Sequence, residues 1–191
     1  MSNYRLEGKT FVIDDYDRMP AFSSFLPGLA GVKGIPMWTF YTNRGQGMNS
    51  FGIDNKGNAI MEFNSANTAF ENTQVKGFRT FLKIDGQYYE PFFQYEDDAK
   101  RSIRMNKNSF KIIENNTKYG IEVTVNYYVL PNESIGALVR QVSVKNTGDK
   151  VKNIEIVDGL PKIITYGIAN GEFKEMSNLF KSWADIKNLE N

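Results

Sequence analysis

The middle of the chain alternates apolar and polar side chains with the two-residue period of a β-strand. Residues 121–130 read IEVTVNYYVL, and 109–114 and 135–145 are similar β-rich runs separated by short turns. Because successive side chains of a strand point to opposite faces, this alternation predicts half-buried strands. Consecutive strands joined by short turns favour antiparallel pairing over a wound parallel sheet. The sequence therefore predicts a mainly all-β fold, an antiparallel β-sandwich.

Shorter apolar and aromatic runs predict further strands. These lie at 10–13, 37–41, 50–53, 59–63, 77–84, 87–94 and 151–157. The turn residues at 54–58, Asp-Asn-Lys-Gly-Asn, predict a hairpin between two of them. Residues 22–34 are rich in Gly, Pro and Ser and are predicted to form a loop.

Near the C-terminus, apolar residues recur every three or four positions instead. Met176, Leu179, Phe180 and Trp183 fall on one face of a helix at this spacing, which predicts an amphipathic α-helix. We expect this large apolar stripe to dock on a catalytic domain outside this chain or to mediate self-association. No composition shift marks a second domain, so residues 1–191 are expected to form a single β-sandwich domain.

The chain has no histidine and no cysteine. Their absence excludes Ser-His-Asp triads, thiolate nucleophiles and cysteine-held zinc or iron–sulfur centres. Any catalysis would depend on carboxylates, Lys, Tyr or Arg, and glycoside chemistry is one of the few classes that requires only carboxylic acids. A net charge of +1 argues against nucleic acid or an anionic membrane surface as a partner. No secretory signal or spanning segment is visible, so a cytoplasmic location is expected.

The segment 34–52 combines aromatic rings, planar polar side chains and glycines. Trp38 and Tyr41 offer flat faces of the kind on which sugar rings stack, and Asn43, Arg44 and Gln46 offer planar groups that hydrogen-bond hydroxyls. These residues are the predicted substrate-binding residues. The alternative for the segment is an aromatic core strand followed by a Gly-rich turn. The alternative for Arg44 is a loop brace that donates to backbone carbonyls.

The remaining motifs do not predict a functional site. The acidic runs at 14–17 and 96–98 lack the spacing of an EF-hand loop and are interpreted as solvated turn residues. The glycines at 28–34 and 45–47 do not fit a phosphate-binding loop. We therefore predict no metal site and no catalytic residue in this chain.

Three stretches, 34–52, 59–63 and 77–83, together resemble the N-terminal region of the cellobiose-phosphorylase-like glycoside phosphorylases, formerly glycosyltransferase family 36. Within that group they look most like the 1,2-β-oligoglucan phosphorylases. The run at 136–149 is similar to a strand and turn of the family's β-sandwich, although that pattern is generic to large sugar-enzyme sandwiches. The resemblance extends from about residue 34 to the end of the chain.

The resemblance implies an N-terminal β-sandwich of the supersandwich type, similar to galactose-mutarotase-like domains. In the family, a helical linker joins this domain to an (α/α) toroid that catalyses inverting phosphorolysis of β-glucosides without a metal or organic cofactor. The 191 residues contain no match to the family's catalytic motif, so no catalytic residue is carried over and the toroid is expected to be absent. The sandwich itself is expected to be truncated.

Three functions follow as hypotheses. The first is a non-catalytic N-terminal domain of a β-glucan phosphorylase, which supports the toroid and contacts the sugar. The second is a free-standing carbohydrate-binding β-sandwich. The third is a mutarotase-like enzyme or a carboxylate-only glycosidase. The lack of histidine argues against a mutarotase, because such an enzyme normally uses histidine as an acid.

Overall fold

The structure, a computed structural model, describes residues 3–52, 59–61, 65–161 and 169–183. Over these residues the chain is mainly β, with three antiparallel sheets and two α-helices. The predicted all-β, sandwich-like class is confirmed. In chain order the strands are β1 (Tyr4–Glu7), β2 (Thr10–Asp14), β3 (Ser23–Ala30), β4 (Ile35–Thr42), β5 (Met48–Gly52), β6 (Ala59–Met61), β7 (Arg79–Ile84), β8 (Gln87–Tyr89), β9 (Ala99–Met105), β10 (Ser109–Asn116), β11 (Ile121–Val129), β12 (Leu138–Asn146) and β13 (Ile154–Gly159), and the helices are α1 (Ala66–Lys76) and α2 (Asn170–Trp183).

A six-stranded sheet, ordered β1-β2-β9-β10-β11-β12, contributes most of the hydrophobic core. The alternation predicted for β11 is confirmed, because Val123, Val125 and Tyr127 are buried and their neighbours are half-buried. Ile112 of β10 pairs with Val125 on one side and with Ile103 of β9 on the other. The buried face therefore runs without interruption across three strands.

The loop predicted at 22–34 is wrong for most of its length, because β3 occupies Ser23–Ala30. This strand lies at the edge of the four-stranded sheet β3-β4-β5-β6, where a proline without an N–H donor is tolerated. Pro27 pairs there with Trp38 of β4. Gly28 permits close contact with β11, since a Cβ at this position would lie 2.9 Å from Cγ1 of Val129.

A three-stranded sheet, ordered β13-β7-β8, holds the strands predicted at 77–84 and 151–157. The strand predicted at 87–94 ends early, at Tyr89. Phe92 has a φ of +64°, outside the extended region, and its N–H donates to Oε2 of Glu114 at 2.7 Å. This left-handed conformation is incompatible with a continuing strand.

Besides β3, the elements β1, β9 and α1 were not predicted. Arg101 of β9 is buried, as Ala99 and Ile103 of the same strand are. Because a charged residue occupies a buried position, the sequence lacks the apolar–polar alternation of a half-buried strand. Helix α1 lacks a broad apolar stripe and begins at a polar cap. The hydroxyl of Ser65 accepts from the N–H of Thr68 at 3.4 Å, which satisfies a free donor of the first turn.

The predicted C-terminal helix is present as α2, with a kink at Met176 (φ −110°, ψ 18°). Its stripe residues Met176 and Leu179 are 42% and 43% exposed. Phe180 and Trp183 lie on the same helix, but their side chains are outside the described part. The turn predicted at 54–58 also lies outside the described residues. The strands on either side of it, β5 and β6, pair antiparallel with Phe51 opposite Met61.

We predict that Gly77→Ala destabilises the fold. A Cβ at Gly77 would lie 2.3 Å from the carbonyl oxygen of Thr73 and 2.4 Å from that of Gly47. Both contacts are with backbone, so relief requires α1 or the β4–β5 loop to move. We expect a loss of about 1–3 kcal/mol in the free energy of unfolding, measured by denaturant titration.

Gly171→Ala is the matched control, because a Cβ at Gly171 meets no heavy atom within 4 Å. It lies in α2, where Ala is the better helix former. Equal stability of the two variants would contradict the packing described for Gly77.

Candidate functional site

The guanidinium of Arg140 on β12 joins the three sheets. Its Nε donates to the Tyr127 hydroxyl of β11 at 3.1 Å, and its Nη2 donates to Gln46 Oε1 in the β4–β5 loop and to Thr80 Oγ1 of β7. Its Nη1 pairs with the carboxylate of Asp158 on β13. The side chain of Arg140 is 7% exposed, so this charge is held by protein groups rather than by solvent.

The groups around Arg140 also bond to one another. Thr80 Oγ1 lies 3.0 Å from Gln46 Oε1 and 2.6 Å from Asp158 Oδ1, and the Tyr127 hydroxyl donates to the backbone carbonyl of Gln46. Burial raises the pKa of Tyr127 to about 12, so the phenol keeps the proton that it donates. A buried polar network is stabilising when its members are satisfied in this way. We call these five residues the Arg140 junction.

A second buried ion pair lies between Glu114 of β10 and Arg101 of β9, with Nε and Oε2 2.7 Å apart. Both side chains are 3% exposed or less. The carboxylate of Glu114 also accepts from the Tyr89 hydroxyl. Arg101 reaches Asp17 at 3.3 Å, and the Asp17 side chain is only 8% exposed. The interpretation of 14–17 as solvated acids is therefore wrong for Asp17.

A cleft of about 810 Å³ opens between the four-stranded and six-stranded sheets. The described lining residues are mainly apolar or aromatic and include no carboxylate: Leu26, Gly28, Leu29, Pro36, Met37, Trp38, Thr39, Lys107, Asn108, Ser109, Tyr127, Tyr128, Val129, Pro131 and Leu138. Concave sites that combine apolar walls with a few polar groups are typical of small-molecule binding. We take this cleft as the candidate functional site.

The predicted binding residues separate in the structure, and Trp38 is the one that lines the cleft. Tyr41 stacks on Phe110 with ring centroids 4.7 Å apart and packs against the core. Asn43 donates to the Met19 carbonyl at 3.1 Å, while its own Oδ1 is buried without a donor among the described residues.

Arg44 and Gln46 both bond to protein groups. The guanidinium of Arg44 donates twice to the carbonyl of Phe70, at 3.1 and 2.9 Å, and stacks over the Phe70 ring. This is the loop brace given as the alternative for Arg44. Gln46 is 2% exposed and belongs to the Arg140 junction. A saccharide-binding role for Tyr41, Asn43, Arg44 and Gln46 stays a prediction, and their observed contacts are internal.

The sequence reasoning did not find the other side of the cleft. Tyr128 is half-buried on β11 and lines the cleft together with Trp38 of β4. Lys107 and Asn108 lie in the turn between β9 and β10, an ordinary polar turn in the sequence. Their proximity to Trp38 arises only when the two sheets pack together.

No group of three or more potential metal ligands occurs among the described residues. None of the described helices combines the length and apolarity needed to span a membrane. Comparison of the sequence with models of known protein families gives no match, and comparison with curated proteins gives no significant match.

We predict that Gln46→Ala lowers stability because it leaves donors of Arg140 and Thr80 without their shared acceptor. Loss of a buried partner costs about 1–3 kcal/mol. Gln141→Ala is the matched control, since Gln141 is exposed on the same strand as Arg140. Unfolding in urea should distinguish the variants, and an unchanged midpoint for Gln46→Ala would show that the junction is not structural.

We also predict that stability falls between about pH 10 and 12. The unfolded chain releases tyrosine protons near pH 10, whereas burial raises the pKa of Tyr127 to about 12 in the folded state. The folded state therefore binds more protons in this range, and the free energy of unfolding decreases as pH rises.

Tyr127→Phe should make this decrease less steep, measured as urea midpoints at several pH values. Tyr88→Phe, at a residue that is 81% exposed, is the control for loss of a tyrosine hydroxyl outside the core. Identical slopes for Tyr127→Phe and the unmodified protein would refute the assignment.

Proposed function

We propose that this chain is a non-catalytic, saccharide-binding β-sandwich domain of a β-glucan phosphorylase. In this proposal, the cleft between β4 and β11 binds a β-glucan oligosaccharide, with a sugar ring stacked on Trp38. The domain then supports a catalytic toroid and presents glucan to it. The observation that carries the proposal is an aromatic cleft whose described lining has no carboxylate.

The chemistry of the cleft suits sugar rings. Trp38 and Tyr128 provide aromatic surface, and the C–H faces of sugar rings pack on such surfaces. Thr39, Asn108 and Ser109 supply hydroxyl and amide groups that hydrogen-bond sugar hydroxyls. The cleft is thus largely apolar with a small number of orienting polar groups.

The same lining supports binding without hydrolysis. Glycoside cleavage by the usual mechanisms requires two carboxyl groups flanking the bond. Several acids of the described structure lie away from the cleft and are paired with cations, including Glu114 with Arg101, Glu90 with Arg79, and Asp158 with Arg140. A carboxylate-only glycosidase is therefore less well supported than a binding domain.

The link to a phosphorylase rests on the sequence resemblance and on the all-β fold class. Helix α2 is compatible with that assignment, because its exposed Met176 and Leu179 offer an apolar surface for the toroid. Self-association through the same stripe is the alternative use of this surface.

The proposal is tested by calorimetric titration with sophorose, β-1,2-glucan oligosaccharides and cellobiose in the presence of phosphate. We expect saturable heat with at least one of these sugars and no release of glucose 1-phosphate. Trp38→Ala should weaken binding at least about tenfold, since stacking on an aromatic ring and its buried area contribute more than 1.4 kcal/mol.

Tyr95→Ala is the control for loss of an aromatic ring, because Tyr95 is 55% exposed and does not line the cleft. Its affinity should match that of the unmodified chain. Absence of heat with all three sugars, or equal affinity of Trp38→Ala, would contradict the proposed function.

A further inference from the structure

The cleft contains a single formal charge among its described lining residues, the ammonium group of Lys107. Lys107 is exposed and makes no ion pair or hydrogen bond with its side chain to another described residue. Among the other cations of the described structure, Arg101 pairs with Glu114 and Arg79 pairs with Glu90. The described lining of the cleft therefore carries one positive charge and no negative charge.

The turn that carries Lys107 is held in place by its own hydrogen bonds. The N–H of Asn106 donates to the Ser109 carbonyl at 2.9 Å, and the Asn106 amide donates to the Ser109 hydroxyl at 3.3 Å. The Thr10 hydroxyl in turn donates to Asn106 Oδ1 at 2.6 Å. These hydrogen bonds hold the turn between β9 and β10, and its residues Lys107 and Asn108 both line the cleft.

We propose that the cleft prefers a saccharide that carries one carboxylate. The sugar ring would stack on Trp38, and its carboxylate would meet the ammonium of Lys107 and the amide of Asn108. One cation balances one carboxylate, whereas a phosphate monoester carries about 1.5 to 2 negative charges at pH 7 and is usually bound by several donors. The inference rests on the proposed function only for saccharide binding in the cleft, and it replaces the neutral β-glucan of that proposal by an acidic saccharide as the preferred ligand.

The test compares 4-nitrophenyl β-D-glucoside with 4-nitrophenyl β-D-glucuronide, which share the aglycone and ring and differ by the carboxylate. Calorimetry at low ionic strength should give about three- to fivefold tighter binding of the glucuronide, the range expected for one solvent-accessible ion pair. Raising the salt to about 0.5 M should reduce this preference, because exposed charges are screened. 4-Nitroanisole, a neutral ether that does not ionise, reports binding of the aglycone.

Variants of Lys107 test whether this residue causes the preference for the glucuronide. Lys107→Gln should bind both glycosides equally, and Lys107→Arg should keep the preference. Lys150→Gln, at an exposed position outside the cleft lining, controls for a general change in net charge.

The outcomes separate the two proposals. Equal affinity for both glycosides, or a preference that persists in Lys107→Gln, overturns the carboxylate inference and leaves saccharide binding intact. If neither glycoside binds more tightly than 4-nitroanisole, saccharide binding in the cleft is itself refuted. A preference that is lost only in Lys107→Gln supports saccharide binding in the cleft and the carboxylate inference, and it counts against a neutral β-glucan as the preferred ligand.

Discussion

The Arg140 junction is the interaction on which the arrangement of the three sheets depends. One guanidinium bonds to Tyr127 of the six-stranded sheet, to Gln46 beside the four-stranded sheet, and to Thr80 and Asp158 of the three-stranded sheet. Removing one partner of such a buried cluster leaves polar groups unpaired in a low-dielectric interior. The junction therefore determines how the sheets meet, and Tyr127 extends it to the wall of the cleft.

The cleft follows from this arrangement and from small local features. Gly28 lets β3 approach Val129, which closes one side, while Trp38 and Tyr128 lie on separate sheets. The buried pair of Arg101 and Glu114 lies outside the cleft, whose described lining is mainly apolar with one cation, Lys107. Such a surface favours binding of a ring with polar edges over acid–base chemistry, which connects the fold to the proposed role as a saccharide-binding domain.

The sequence predicted the parts of the fold that depend on local periodicity. The alternation of apolar and polar residues in β11 and the helical spacing around Met176 could both be recognised in the sequence. β9 was missed because Arg101 occupies a buried position, which is tolerable only with Glu114 on the neighbouring strand. The chemical type of the predicted site residues did not reveal which of them line the cleft. Trp38 lines it, whereas Gln46 is buried in the Arg140 junction. Those outcomes depend on tertiary packing and have no local signal.

Fluorescence of a Trp183→Phe variant tests the central claim, that a saccharide binds on Trp38, most directly. The chain has two tryptophans, so the emission of this variant reports Trp38 alone. The account predicts a saturable change in intensity and wavelength during titration with β-1,2-glucan oligosaccharides, without formation of glucose 1-phosphate when phosphate is present. An emission spectrum that stays unchanged while calorimetry detects binding would place the saccharide elsewhere and contradict the account.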